Sequence, residues 1–375
     1  MTRTVIDTAY RMVYPFLPAI ARGLGTDLQV AALAVTARSS LGLFGPLLGA
    51  IGDVRGKRTA MLVGLGLLTC GMLIIALWPA LASFFLGMLM VGAGKITFGS
   101  AMYAYLGDRV AYRRRGLAIA VVEFGWSGAF LLGIPVVGWL MARGGWSRPF
   151  PWIALSAIAC GLLLSRLVPR DSPRPIHRPT LMAGLRAILV HPSALAGLAV
   201  GLLVSSANET VNIVFGAWME QSFGLSVASI GVASAVIGIS ELGGEGLVAA
   251  IADPLGKRRA VMLGAGLSAL ACLALPLLGR TLPGALIGLF LFYITFEFTL
   301  VSSIPLMTEL VPAARATLLS GNIAAHSGGR VLGALIGPPL FAGGMLLIGV
   351  AAATLNLAAL AALFFIVRER QAEAT

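Results

Sequence analysis

The sequence predicts an all-α membrane protein with twelve transmembrane helices in two parallel six-helix halves. Three observations lead there. Hydrophobic residues make up 58% of the 375-residue chain and charged residues only 11%, whereas soluble domains carry roughly 25% charged residues. A bilayer core of about 30 Å needs roughly 20 apolar residues per helix, and twelve such stretches stand between polar breaks. Finally, the chain repeats itself at a shift of 200: DVRGKRTAMLVGLGL (53–67) lies over DPLGKRRAVMLGAGL (253–267) with eight identities in fifteen positions. In the same register Arg115 falls on Arg315, and WSGAFLLG (126–133) falls on HSGGRVLG (326–333). A repeat of six helices returns the chain to the same side, so the two copies are parallel and related by an axis along the membrane normal.

Taken in order, span 1 (4–24) carries Asp7 and Arg11, which argues against a cleaved signal peptide. Tyr14-Pro15 follows one turn on. Span 2 (28–51) carries Arg38, span 3 (59–78) is uncharged, span 4 (81–106) carries Lys95, span 5 (115–141) carries Glu123, and span 6 (150–168) is again uncharged apart from Arg166 at its cytoplasmic end. Residues 169–192 are rich in Pro and Arg and read as a cytoplasmic linker between the halves 1–168 and 193–375, with His177 and His191 solvated in it. Span 7 (193–219) holds Glu209 and Asn212, span 8 (226–251) Glu241 and Glu245, span 10 (281–308) Glu297, and span 11 (315–341) His326 and Arg330. Spans 9 (260–279) and 12 (344–367) carry no internal charge. Every third span is therefore chemically silent, as expected if those four face lipid and the other eight enclose a polar path.

Basic residues stay on the cytoplasmic side of a membrane. With the N-terminus inside, 19 of the 27 Lys and Arg fall in cytoplasmic segments, among them Arg3, and both termini are cytoplasmic. Topology thus explains the net charge of +12 without nucleic acid, and anionic inner-leaflet lipid is the acidic partner it implies. Cys70, Cys160 and Cys272 each lie within a span with no metal-ligand spacing, so they read as packing residues. No metal, cofactor, nucleotide loop or nucleophile triad is legible, which excludes the membrane-embedded transferases.

The loop between spans 2 and 3 resembles the signature G-x-x-x-D-x-x-G-(R/K)-(R/K) of the major facilitator superfamily. Gly49, Asp53, Gly56, Lys57 and Arg58 match it, and Asp253, Gly256, Lys257 and Arg258 repeat it with Ala249 for the first Gly. The resemblance covers the whole chain. It implies a secondary transporter working by rocking alternating access, in which these residues, with Arg115, latch the halves on the cytoplasmic side. Gly56 and Gly256 permit the tight turn this needs. Looser marks follow. Lys95-x-x-x-Gly99 in span 4 resembles the R-x-x-Q-G motif of proton-coupled members, with Lys for Arg and Phe98 for Gln. GIPVVG (133–138) in span 5 and GALIGPP (333–339) in span 11 resemble incomplete copies of the G-x-x-x-G-P-x-x-G-G motif of drug:proton antiporters of the bacterial inner membrane.

Ionisable residues inside a bilayer are costly and mark function. Counting about 1.5 Å per residue from the cytoplasmic anchors puts Arg38, Lys95, Glu209, Glu241, Glu297 and Arg330 roughly 18 to 22 Å deep, with Glu123 and Glu245 near 12 Å. At one level the N-terminal half is basic and the C-terminal half acidic. Arg11, Tyr14, Arg38, Lys95, Glu123, Asn212 and Arg330 are the expected substrate-cavity residues, and Glu209, Glu241, Glu245 and Glu297 the expected proton-coupling acids. Asp7 and Arg11 are expected to pair locally, and His326 to pack at an interface. The function expected is proton-coupled export of a small amphiphilic compound by a monomer with protons, substrate and lipid as its only partners. The alternatives are proton-coupled uptake of an organic anion clamped by Arg38, Lys95 and Arg330, or movement of lipid between leaflets.

Overall fold

The computed structural model describes residues 1–45, 47–48, 55–110, 121–169, 186–311 and 314–367. Gly49, Asp53, Arg115 and most of the linker lie outside the described residues. Within them the secondary structure is helical throughout, without strands. Helices α1 (Thr2–Arg11) and α2 (Val13–Gly23) are followed by α3 (Leu28–Ser40), α4 (Lys57–Leu77), α5 (Leu81–Arg109), α6 (Val121–Gly144) and α7 (Pro149–Leu167). Then come α8 (Pro192–Asn212), α9 (Phe215–Phe223), α10 (Val227–Ala233), α11 (Ala235–Leu255), α12 (Lys257–Leu278), α13 (Leu282–Leu310), α14 (Arg315–Phe341) and α15 (Met345–Phe365).

Among the described residues nine helical segments are long and apolar enough to cross a membrane, with α8–α9 and α10–α11 each counted as one. The other three predicted spans are helical too. Span 1 is α1 and α2, span 2 runs through α3 into a 3-10 turn at Leu41–Phe44, and span 11 is α14. Asp7 and Arg11 in span 1, and Asn322, His326 and Arg330 in span 11, lower the hydropathy of those segments.

The interruptions recur with the repeat. α1 stops at Arg11 and α2 resumes at Val13, while α8 stops at Asn212 and α9 resumes at Phe215. In the first case Pro15 has no N–H to offer the Arg11 carbonyl, which frees that carbonyl and loosens the turn. Arg11, Tyr14 and Asn212 therefore all flank a helix break at membrane depth, where irregular backbone is tolerated beside protein or a cavity. A third irregularity, one π turn at Ala129–Gly133, interrupts α6.

The described chain divides into two compact units: Met1–Ile176 with Ile213–Ile239, and His177–Asn212 with Ser240–Thr375. In the first unit α4 and α5 pack backbone to backbone. A Cβ on Gly64 would lie 2.6 Å from the Gly94 carbonyl oxygen, and one on Gly71 would lie 2.7 Å from that of Gly87. Small residues that let helices approach this closely supply the van der Waals contact that substitutes for hydrophobic drive inside lipid. α9 and α10 join this unit through similar contacts: Gly216 abuts the Pro15 carbonyl, Gly231 abuts Gly138, and Arg22 pairs with Glu220 at 2.8 Å. In the second unit α12 packs on α13 with Gly264 against Phe298 and Thr299, as Gly64 packs against Phe98 two hundred residues earlier. Large apolar side chains exposed along α7, α12 and α15, such as Leu155, Leu162, Leu270, Leu277 and Leu357, are surface that lipid would cover.

Candidate functional site

Each copy of the charged loop ends in a glycine at positive φ, 86° for Gly56 and 81° for Gly256, followed at once by a helix. A Cβ would strain that backbone. The two basic residues after it are used alike in both units. Lys57 pairs with Asp108 at the end of α5, and Lys257 with Glu309 at the end of α13. Arg58 donates to the Ser165 carbonyl at the end of α7, while Arg258 donates to the Leu363 and Phe364 carbonyls of α15 at 3.0 and 2.7 Å. An arginine on the last carbonyls of a helix satisfies acceptors with no intrahelical partner and complements the helix dipole. Lys57, Arg58, Lys257 and Arg258 are thus each tied within their own unit, and Asp253 is exposed at the end of α11.

The membrane-embedded charges of the first unit form one network. Arg3 Nε donates to Asp7 Oδ2 at 2.8 Å, Arg3 Nη2 to Glu123 Oε2 at 3.1 Å, and Arg3 Nη1 to the Tyr103 hydroxyl at 2.6 Å. That hydroxyl donates in turn to Glu123. The second oxygen of Asp7 pairs with Lys95 Nζ at 2.9 Å. Asp7 is fully buried, and two cations hold its two oxygens.

Next to the network, cations and rings alternate. The Arg11 guanidinium lies 4.0 Å from the Phe130 ring centre and 3.9 Å from that of Trp126, and it donates to the Trp126 carbonyl at 3.1 Å. Lys95 Nζ lies 4.1 Å from Trp126 and 3.9 Å from Tyr10. Arg38, only 1% exposed, lies 3.7 Å from Tyr10, donates to the Tyr10 carbonyl, and donates to the Tyr14 hydroxyl at 3.0 Å. Rings attract a cation through their quadrupole by about 0.5 to 2 kcal/mol each when desolvated. Among the described residues these contacts bring together four cations, Arg3, Arg11, Arg38 and Lys95, and two acids, Asp7 and Glu123, so an excess of positive charge sits among aromatic faces.

The second unit carries the acids. Glu209, Glu241 and Glu297 are buried and Glu245 half-buried. Two of them lie where a helix meets a glycine: a Cβ on Gly333 of α14 would lie 2.6 Å from Glu209 Cβ, and one on Gly244 of α11 would lie 2.7 Å from Glu297 Cβ. Asn212, at the break after α8, accepts a hydrogen bond from the Tyr293 hydroxyl at 2.8 Å. His326 Nδ1 is 2.5 Å from Ser205 Oγ. Arg330 is half-buried one turn beyond His326 on α14.

The site also takes in Arg3, which the distribution of basic residues puts in a cytoplasmic segment, and Tyr10, Tyr103, Trp126, Phe130, Ser205 and Tyr293, which sequence reasoning does not single out. The spacing of Arg3 and Asp7, four apart on a helix, is a pairing signal. The rings carry no signal of their own, since an aromatic residue in a membrane span is usual.

A chain that is helical through its described residues, repeats its charged motif at a shift of 200 and buries charge within apolar helices is built like a membrane transporter. The family profile of the Major Facilitator Superfamily matches residues 2–321 and again 198–375, and the chain belongs to that family. It is 25% identical over 338 residues to the uncharacterized MFS-type transporter YceJ of Bacillus subtilis, a match covering 88% of this chain and 85% of that one. It shares its fold with a peptide transporter POT solved with sulfate, at a TM-score of 0.75 and 16% identity over 96% of this chain and 93% of that one. It shares it also with the human organic anion transporter MFSD10, at 0.69 and 21% over 96% and 97%. The chain is therefore a multi-pass membrane protein and a secondary transporter of a small molecule.

Proposed function

We propose that this transporter exports a small amphiphilic organic anion in exchange for protons by alternating access, from a bacterial inner membrane in which both termini are cytoplasmic. The observation that carries the reading is the alternation of Arg11, Lys95 and Arg38 with Phe130, Trp126, Tyr10 and Tyr14, in a unit whose embedded cations outnumber its acids. Such a surface offers a carboxylate charge-assisted hydrogen bonds and offers an aromatic body flat faces to lie on. The name of the fold neighbour MFSD10, an organic anion transporter, points the same way.

Export fits the physics of an anion. Sending one negative charge out while one proton enters moves two charges down an inside-negative potential, each worth about 2.3 kcal/mol per 100 mV. The antiporter-like stretch GIPVVG in α6, beginning where the π turn ends, supports the same direction. Glu209, Glu241 and Glu297 are the proposed proton carriers, because they are buried acids inside membrane spans, where ionisable groups are costly and mark function. Gly56, Lys57, Arg58 and their counterparts are proposed to hold the cytoplasmic ends of each half as rigid bodies, with Gly49, Asp53, Arg115 and Asp253 completing the latch.

The test uses everted vesicles with a respiration-driven acid interior and a pH-sensitive dye. Benzoate and naphthoate should discharge the gradient with the wild-type chain and not with Lys95→Gln, whereas cationic ethidium should leave it intact. Discharge by ethidium alone would sink the anion reading, and gradient-independent benzoate movement would sink proton coupling.

A further inference from the structure

We propose that His326 and Ser205 form a proton relay that serves Glu209 from the side of the charged loops. This rests on the reading of Glu209 as a proton carrier. The hydroxyl of Ser205 on α8 and Nδ1 of His326 on α14 are 2.5 Å apart, and both side chains are buried. The other ring nitrogen, Nε2, has no hydrogen-bond partner among the described residues. It is held toward the preceding turn of α8: a Cβ on Gly201 would lie 3.2 Å from Nε2 and 2.8 Å from Asn322 Oδ1. Two polar atoms, from residues four apart on α14, thus converge over a position where α8 has no side chain.

Direction follows from the helices. Gly201, Ser205 and Glu209 are spaced by four along α8, as Asn322, His326 and Arg330 are along α14, and residues four apart share a face about 5 to 6 Å from one another. The order from the cytoplasmic end is Gly201 with Asn322, then Ser205 with His326, then Glu209, whose Cβ packs on Gly333 of α14. A buried imidazole is one of few groups that can take a proton at one atom and release one at another. In the step proposed, the Glu209 carboxyl gives its proton, through one water and across the 5 to 6 Å of one helical turn, to Ser205 Oγ, and the hydroxyl proton passes to Nδ1 of His326. Nε2 releases its proton to water reached past Asn322. One proton moves toward the cytoplasmic side, the hydroxyl is restored, and the ring exchanges one neutral tautomer for the other. The charged neighbours on these two helices are Glu209, the donor, and Arg330, one turn beyond the ring.

The experiment is time-resolved infrared spectroscopy of the full chain in lipid after a pH jump. The Glu209 carboxyl band is identified by its loss in Glu209→Gln. His326→Gln and Ser205→Ala should leave the equilibrium titration of the band in place, which also shows that the variants are folded, while slowing its loss after a jump to higher pH by at least about tenfold. An unchanged rate in either variant overturns the relay and leaves Glu209 as the proton carrier. Absence of any band lost in Glu209→Gln overturns the relay and the coupling role of Glu209 together.

Discussion

At the scale of single residues, the chemistry turns on Asp7. Its side chain is 1% exposed, and it holds Arg3 at 2.8 Å and Lys95 at 2.9 Å. Removing one partner of a buried ion pair costs about 3 to 5 kcal/mol, because the remaining charge stays desolvated. Asp7→Asn is therefore expected to lower the melting temperature in detergent sharply and abolish transport. Asp7→Asn with Lys95→Met should recover most of the stability without recovering transport, so that a double-mutant cycle on melting shows strong coupling. Additive losses would mean that the pair does not bear the load its geometry indicates.

At the scale of elements, the two charged loops act as staples from the start of one helix to the ends of two others. Their two bonds differ in worth. Lys257 and Glu309 have side chains 36% and 45% exposed, and such pairs contribute at most about 1 kcal/mol. Arg258 places two charge-assisted hydrogen bonds on the final carbonyls of α15, and hydrogen bonds to charged groups contribute about 1.5 to 3 kcal/mol each. Arg258→Ala is thus expected to destabilise the chain several times more than Lys257→Ala in parallel thermal melts, and Arg58→Ala more than Lys57→Ala. The reverse ranking would show that the loop works through its lysines.

At the scale of the whole molecule, the distribution of Lys and Arg predicts a single orientation. With Cys70, Cys160 and Cys272 replaced by Ser, Asp253→Cys should react with a membrane-impermeant maleimide in everted vesicles and not in intact cells. Labelling from the outside of cells would invert the topology, and with it the direction assigned to transport. The three cysteines form no disulfide, so reducing agent is expected to leave the wild-type melting temperature unchanged.

Much of this was legible in one dimension. Apolar runs of bilayer length, the shift of 200 between Gly56-Lys57-Arg58 and Gly256-Lys257-Arg258, and the placing of Arg38, Lys95 and Glu209 inside spans are properties of local composition and spacing, and the bilayer acts on these directly. The partners of those charges were not legible. Lys95 meets Asp7 and Trp126 across 88 and 31 residues of sequence, and Ser205 meets His326 across 121. Such pairs are decided by which helix faces meet, and that depends on small residues such as Gly64, Gly94 and Gly333 letting backbones close to contact distance. The sequence by itself therefore determined where charge enters the membrane and how often the pattern recurs. Only the tertiary structure decided that the N-terminal cations lie on aromatic rings and that His326 meets Ser205 one turn from Glu209, because helix packing alone brings residues from distant spans to one depth and one side.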